Sequence, residues 1–204
     1  MPDSLPSEAL DHRLVEVALK LVESEGLEGL TLRRVAREAG VSHGAPLRHF
    51  AGLADLRAEV AGRGFQRLTD AIDRASRGLP PGAGPLARLR AAGAAYVETA
   101  VAHPGLFALM FRPDLLDTTN ERFARESARA FDRLVRLVEN AQDAGYEPEA
   151  DARTLAGAIW AAVHGLASLW SQRAFSGAVS GARLEDALEI SLRLLTGREK
   201  GGAG

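Results

Sequence analysis

Cysteine is absent from the chain. That excludes disulfides, thiolate metal sites and thiol catalysis, and the five histidines show no metal-ligand spacing, so no metal and no cofactor is expected. Aromatic residues are scarce at 5%, which makes any grouping of them conspicuous. A large net charge is also missing: the formal value is −2 over 204 residues, which by itself says nothing for a nucleic-acid partner. The first residues, Met1 to Leu10, lack a basic stretch followed by an apolar run, so no secretory leader is expected and the cytoplasm is the simplest location. Period-two alternation is not found either. Apolar residues recur at spacings of three and four between glycine and proline punctuation, which predicts an all-α protein.

What is present is 46% hydrophobic and 25% charged, the balance of a folded globular chain long enough for a small module and a larger one. The spacing predicts helices over about 8–25, 32–39, 43–50 and 53–77. Ser7, Thr31 and Ser42 are placed to cap the first three, Gly26 stops the first, and Gly40 ends the second in a left-handed conformation. The run "GLPPGAGP" at 78–85 is the clearest linker. Beyond it, helices are expected at roughly 86–102, 104–112, 118–144, 149–173 and 183–196. The domain division is therefore 1–52, a connecting helix at 53–78, and a second domain at 79–200.

Residues 154–172 carry no charge, long enough to suggest a membrane span. The polar Thr154, His164, Ser168, Ser171 and Gln172, with much alanine and glycine, favour a helix buried on two sides, and no membrane partner is expected. One face carries Leu155, Ile159, Leu166 and Leu169; another carries Ala156, Trp160, Val163, His164 and Ala167. Two apolar faces need two partners. The first face, with Leu184, Leu188, Ser191 and Leu195 of the last helix, suits a second copy of the chain and predicts a homodimer built on a four-helix seam.

Basic charge is focused at the other end. Between Thr31 and Phe50 stand Arg33, Arg34, Arg37 and Arg48 against the single acid Glu38, with His43 and His49 beside them. Three short helices with about three residues between the second and third make a helix-turn-helix, whose third helix would offer free N–H groups and a positive dipole to a phosphate. An ordinary helical hairpin in a core has the same pattern, and the local charge argues against it.

These residues carry a resemblance. "LTLRRVAREAGVSHGAPLRHFAGLADLRAEV", residues 30–60, resembles the DNA-binding domain of the TetR family of transcriptional repressors. "HPGLFALMF" at 103–111 and "IWAAVHGLASLW" at 159–170 resemble the C-terminal domain of the subgroup named for its Trp–His–Gly signature, here Trp160, His164 and Gly165. The resemblance implies an N-terminal three-helix DNA-binding domain joined to a larger helical-bundle domain. It implies a homodimer that binds a palindromic double-stranded operator and releases it when a small molecule occupies the larger domain.

Residue by residue, Thr31 and Ser42 match phosphate-bonding positions, and His43, Gly44, Ala45 and Pro46 match the groove-facing start of the recognition helix. Arg48 and His49 match positions near backbone or base edges, and Arg33 or Arg34 also enters the interface. Ala45 with Pro46 presents a small apolar surface suited to a thymine methyl. Ser42 and Thr31 would cap helices without DNA as well, and His49 has a packing role open to it beside Phe50. Two departures stand out: the family usually has Tyr where this chain has Leu47, and Lys where it has Leu53, and both usual residues contact phosphates. The expectation is a weaker or differently docked operator complex.

Phe107, Met110 and Phe111, together with Trp160, Val163, His164 and Trp170, are the most distinctive side chains after the linker. By pattern alone they read as plain core. The resemblance makes them the lining of a pocket for an apolar or aromatic effector, with His164 either orienting a ligand oxygen or capping a buried carbonyl. An enzyme is not expected, because the chain has no G-x-S-x-G elbow, no Gly-rich phosphate loop after a strand, no H-E-x-x-H and no close carboxylate pair on an apolar face. A helical ligand-binding protein with weakened or lost DNA binding is the remaining alternative, favoured by Leu47 and Leu53.

Overall fold

A computed structural model describes residues 7–197, and the end of the predicted second domain at 198–200 lies outside them. Every regular element among the described residues is helical. The α-helices are α1 Ser7–Glu25, α2 Leu32–Glu38, α3 Leu53–Arg77, α4 Pro85–Ala102, α5 Pro104–Met110, α6 Glu121–Asp143, α7 Ala152–Ser171, α8 Ala174–Ala178 and α9 Leu184–Thr196. Short 3-10 turns occupy Pro46–Arg48 and Pro113–Leu115. The Ser7 side chain, expected to cap α1, lies outside the described residues.

Compactness groups these helices otherwise than chain order does. One unit comprises the chain up to Arg67 together with His103–Ala128; the other comprises Leu68–Ala102 together with the chain from Arg129 onward. The division falls within α3 and within α6, so each unit is built from two separate stretches of sequence.

In the first unit α1 buries Leu14, Val15, Ala18, Leu19, Leu21 and Val22. It packs on α2 and on α5. The α5 contact is close because residue 105 has no side chain: a Cβ there would be driven into the Val22 carbonyl oxygen. Val35 and Ala36 of α2 and Ala39 at its C-terminal cap are fully buried. The helix then stops through paired hydrogen bonds, from the Val41 N–H to the Ala36 carbonyl at 3.0 Å and from the Gly40 N–H to the Arg37 carbonyl at 3.1 Å. Gly40 supplies the left-handed residue this ending needs, with φ at +68°.

The third helix expected at 43–50 does not form as an α-helix. The carbonyl of Ser42 accepts from the Ala45 N–H at 2.9 Å, and only Pro46–Arg48 follow as a 3-10 turn. Pro46 is the residue whose N–H would have bonded back to Ser42 in an α-helix, and it has none. The chain closes the tighter bond instead, and no side chain caps the turn.

In the second unit α4 packs against α7 and α9, and α7 against α9. Its core includes Leu89, Tyr96, Val97, Val135, Val138, Ile159, Val163 and Leu166. The Asp151 carboxylate caps α7, accepting from the Thr154 N–H at 2.8 Å and the Thr154 hydroxyl at 2.7 Å, which holds it below the usual carboxylate range. Arg173 at φ +58° ends α7, and α8, which periodicity does not suggest, follows it. No described helix is long and apolar enough to cross a membrane.

Candidate nucleic-acid interface and effector site

The geometry of the basic segment begins at Thr31. Its extended backbone lets its Oγ1 accept the Arg34 N–H at 3.2 Å, so it caps α2 from the surface. From there α2 presents Arg33 and Arg37, one turn apart on one face and both exposed. Together with Thr31, Arg34 and His43 they border an open cleft of about 600 Å³, with Glu28 also lining it. Arg37 was not among the sequence-predicted contact residues; its spacing of four from Arg33 is the signal that finds it. Three cationic or titratable heads besides Arg34 thus face one concavity, an arrangement suited to a polyanion.

The other expected contacts divide. Ser42, His43, Gly44 and Arg48 are exposed, and so is Leu47. Arg34 is held between Glu25 at 2.7 Å and Glu38 at 2.9 Å, so its charge is already matched within the protein. His49 is largely buried, its Nδ1 against the Asp11 carboxylate of α1. Ala45 and Pro46 are buried, as is Phe50. The expectation that Ala45 and Pro46 face a groove therefore fails: the 3-10 turn directs both inward, and the apolar residue it leaves at the surface is Leu47.

The residues expected to line one effector pocket fall in different compact units. In the first unit Phe107 meets Phe111 edge-on at 5.1 Å between ring centres, and Phe111 meets Phe65 of α3 at 5.5 Å. Met110 closes the group against Gly64, where a Cβ would sit 2.6 Å from its sulfur. In the second unit Val163 is buried, while Trp170 lies against Phe175 of α8 at 5.4 Å.

Trp160 and His164 belong to a polar cluster that the sequence reading missed. Its centre is Tyr96, 7% exposed on α4. The Trp160 indole N–H donates to the Tyr96 oxygen at 3.0 Å, and that oxygen is 2.8 Å from Nδ1 of His164. This contact suits a neutral imidazole whose Nδ1 accepts the phenol O–H and whose proton sits on Nε2. Burial lowers the His164 pKa and so favours this neutral ring; burial also pushes the Tyr96 phenol well above its ordinary value, against a smaller downward effect of the Trp160 bond. The Trp160 ring packs edge-on against Phe131 of α6 at 6.1 Å, and the Arg153 guanidinium lies over Phe131 at 5.2 Å. A tyrosine in the middle of the alanine-rich stretch "LRAAGAAYVETA" was the available signal, because a buried phenol needs a hydrogen-bond partner.

The residues assigned to a dimer face are also redistributed. Ile159, Leu166 and Leu188 are buried within the unit itself, and Leu155, Leu184, Ser191 and Leu195 are half-buried. Exposed on α7 are Ala158, Ala161, Ala162 and Leu169; exposed on α9 are Ile190 and Leu194, the latter by 79%. Of the expected face, Leu169 thus stays open, while Ile159, Leu166 and Leu188 are engaged within the unit.

Comparison with known proteins matches two regions of the chain. Residues 14–60 match the profile described as bacterial regulatory proteins, tetR family, and residues 89–195 match the tetracyclin repressor-like C-terminal domain. A structure of a protein with unknown function from Rhodococcus sp. RHA1 is 34% identical, with 96% of each chain covered and a TM-score of 0.79. The fatty acid degradation regulator FadR from Bacillus halodurans shares the fold at 15% identity, covering 97% of this chain and 98% of that one with a TM-score of 0.70. An HTH-type transcriptional regulator of Staphylococcus aureus strain USA300 is 41% identical over 45 residues, 22% of this chain; the match spans about a quarter of that relative's length, 24%. With the C-terminal profile matching over half of the sequence and the N-terminal one over the basic cleft, the chain belongs to the TetR family of DNA-binding transcriptional regulators.

Proposed function

We propose that the protein is a cytoplasmic repressor that holds a palindromic operator as a homodimer and lets go when a small apolar or aromatic molecule occupies the second unit. The observation that carries this reading is the exposed array of Thr31, Arg33, Arg37 and His43 around one cleft, with Ser42, Gly44 and Arg48 exposed on the adjoining turn. On the effector side, Tyr96, Trp160, His164 and Phe131 group aromatic rings beside a pair of polar atoms, a composition suited to a mostly apolar ligand. Trp160, His164 and Gly165 also favour the Trp–His–Gly subgroup. The shared fold of a fatty acid degradation regulator makes acyl compounds a reasonable first ligand series.

The test is a gel shift with duplexes from the gene's own upstream region, titrated with bulk competitor DNA and then with acyl and aromatic compounds. The reading expects a complex that survives competitor and dissolves with a subset of the compounds. Binding that bulk DNA competes away as readily as the upstream site would overturn it. A second reading, a ligand-binding helical protein with weakened DNA contacts, is favoured by the exposed Leu47 and the half-buried Leu53, where the family resemblance implies polar residues; compound binding without any specific duplex would select it.

A further inference from the structure

Burial of Ala45 and Pro46 leaves the basic face with a different apolar group. Leu47 is 60% exposed, while Ala45 and Phe50 of the same segment are at most 8% exposed. A lone surface leucine is ordinary. This one differs in two respects. Its backbone is fixed, because Arg48 donates to the Ala45 carbonyl at 3.0 Å, and His49 and Phe50 both donate to the Pro46 carbonyl, at 3.1 and 2.9 Å, with φ of Pro46 locked by its ring. Its neighbours along the turn are the exposed His43, Gly44 and Arg48, and Gly44 has only open space where a side chain would stand.

An apolar side chain on a fixed backbone beside Arg48 gains nothing from a phosphate, which offers it only charged oxygens. It gains from the one apolar group on the major-groove edge of DNA, the C5-methyl of thymine. We propose that Leu47 reads sequence, its methyl groups packing on a thymine C5-methyl in each half of the operator. The inference rests on the reading of the first unit as the operator-binding one.

The experiment begins by enriching duplexes from a random-sequence library on the full-length protein. Each thymine of the enriched site is then replaced in turn by deoxyuridine, which removes the methyl and keeps the hydrogen-bonding edge. The expected result is one thymine per half-site at which the replacement weakens binding about fourfold, the worth of one buried methyl-sized group. With Leu47→Ala, which should melt as the parent does because the side chain is exposed, the thymine and deoxyuridine duplexes should bind alike. Indifference of the parent protein to deoxyuridine at every position overturns the inference while leaving operator binding intact, and that arm needs no variant to fold. A methyl effect that persists in Leu47→Ala also overturns it. Failure to enrich any sequence overturns the operator-binding reading, and the inference falls with it.

Discussion

Tyr96 is the residue on which most of the polar structure of the second unit converges. Replacing it with Phe keeps the ring and deletes the atom that serves both the Trp160 indole and the His164 imidazole. Two part-buried groups then lose a partner, which should lower stability by about 1–3 kcal/mol for the pair, read as a reduced denaturation midpoint with unchanged slope. His164 makes a separate prediction about pH. Its pKa is lowered in the folded protein, so as pH falls below about 6.5 the unfolded chain takes up the proton first. Stability is therefore complete above that value and declines as pH falls toward the lower folded value. Melting temperatures between pH 7.5 and 5 should show the decline, and His164→Gln should remove that share of it. His164 stands out in the sequence; its contact with Tyr96 does not, because Tyr96 lies 68 residues away in a helix whose pattern reads as plain core.

At the scale of elements, helices with their own punctuation were legible almost to the residue. Thr31 opened α2 and Gly40 closed it because each cap is a local hydrogen-bonding decision. The segment after Ser42 was misread because its hydrophobic spacing suits a helix while one missing N–H at Pro46 prevents it. The start of α6 was set slightly early for a similar reason: Asp117 takes the Thr119 N–H at 2.9 Å and Asn120 takes the Phe123 N–H at 3.0 Å, so the helix waits for Glu121. The 3-10 turn and the start of α3 also carry the two departures from the family pattern. Leu53→Lys should raise operator affinity and steepen the log–log dependence on salt by about one unit for the phosphate contact regained. No change in either quantity across a salt titration would show that this position does not approach the backbone.

For the whole molecule, the helical class and the family were readable from the sequence, while the grouping of helices was not. Phe107, Met110 and Phe111 follow the Gly–Pro linker and so looked like part of the second domain, yet in the first unit Phe111 packs on Phe65, Phe107 on Phe111, and Met110 against Gly64. Chain order cannot reveal such a return. Self-association is a prediction at this scale. Leu194 and Ile190, exposed by 79% and 47%, are the large apolar groups of α9 open to a second copy. Changing both to Asp should convert a dimer into a monomer in sedimentation and weaken operator binding, with helicity retained because neither side chain is in the core. A double variant that sediments like the parent would place the seam elsewhere.

The interleaving of the two units constrains how this regulator can be recombined with others. Grafting its reading head onto a foreign sensor by cutting at the 78–85 linker would strand 103–128, which the first unit requires for packing on α1 and α3. A working chimera must carry residues up to Arg67 and 103–128 together, which takes three crossovers: after Arg67, before His103 and after Ala128. Exchange of specificity in this architecture is more readily achieved by substitution in place than by modular transplantation.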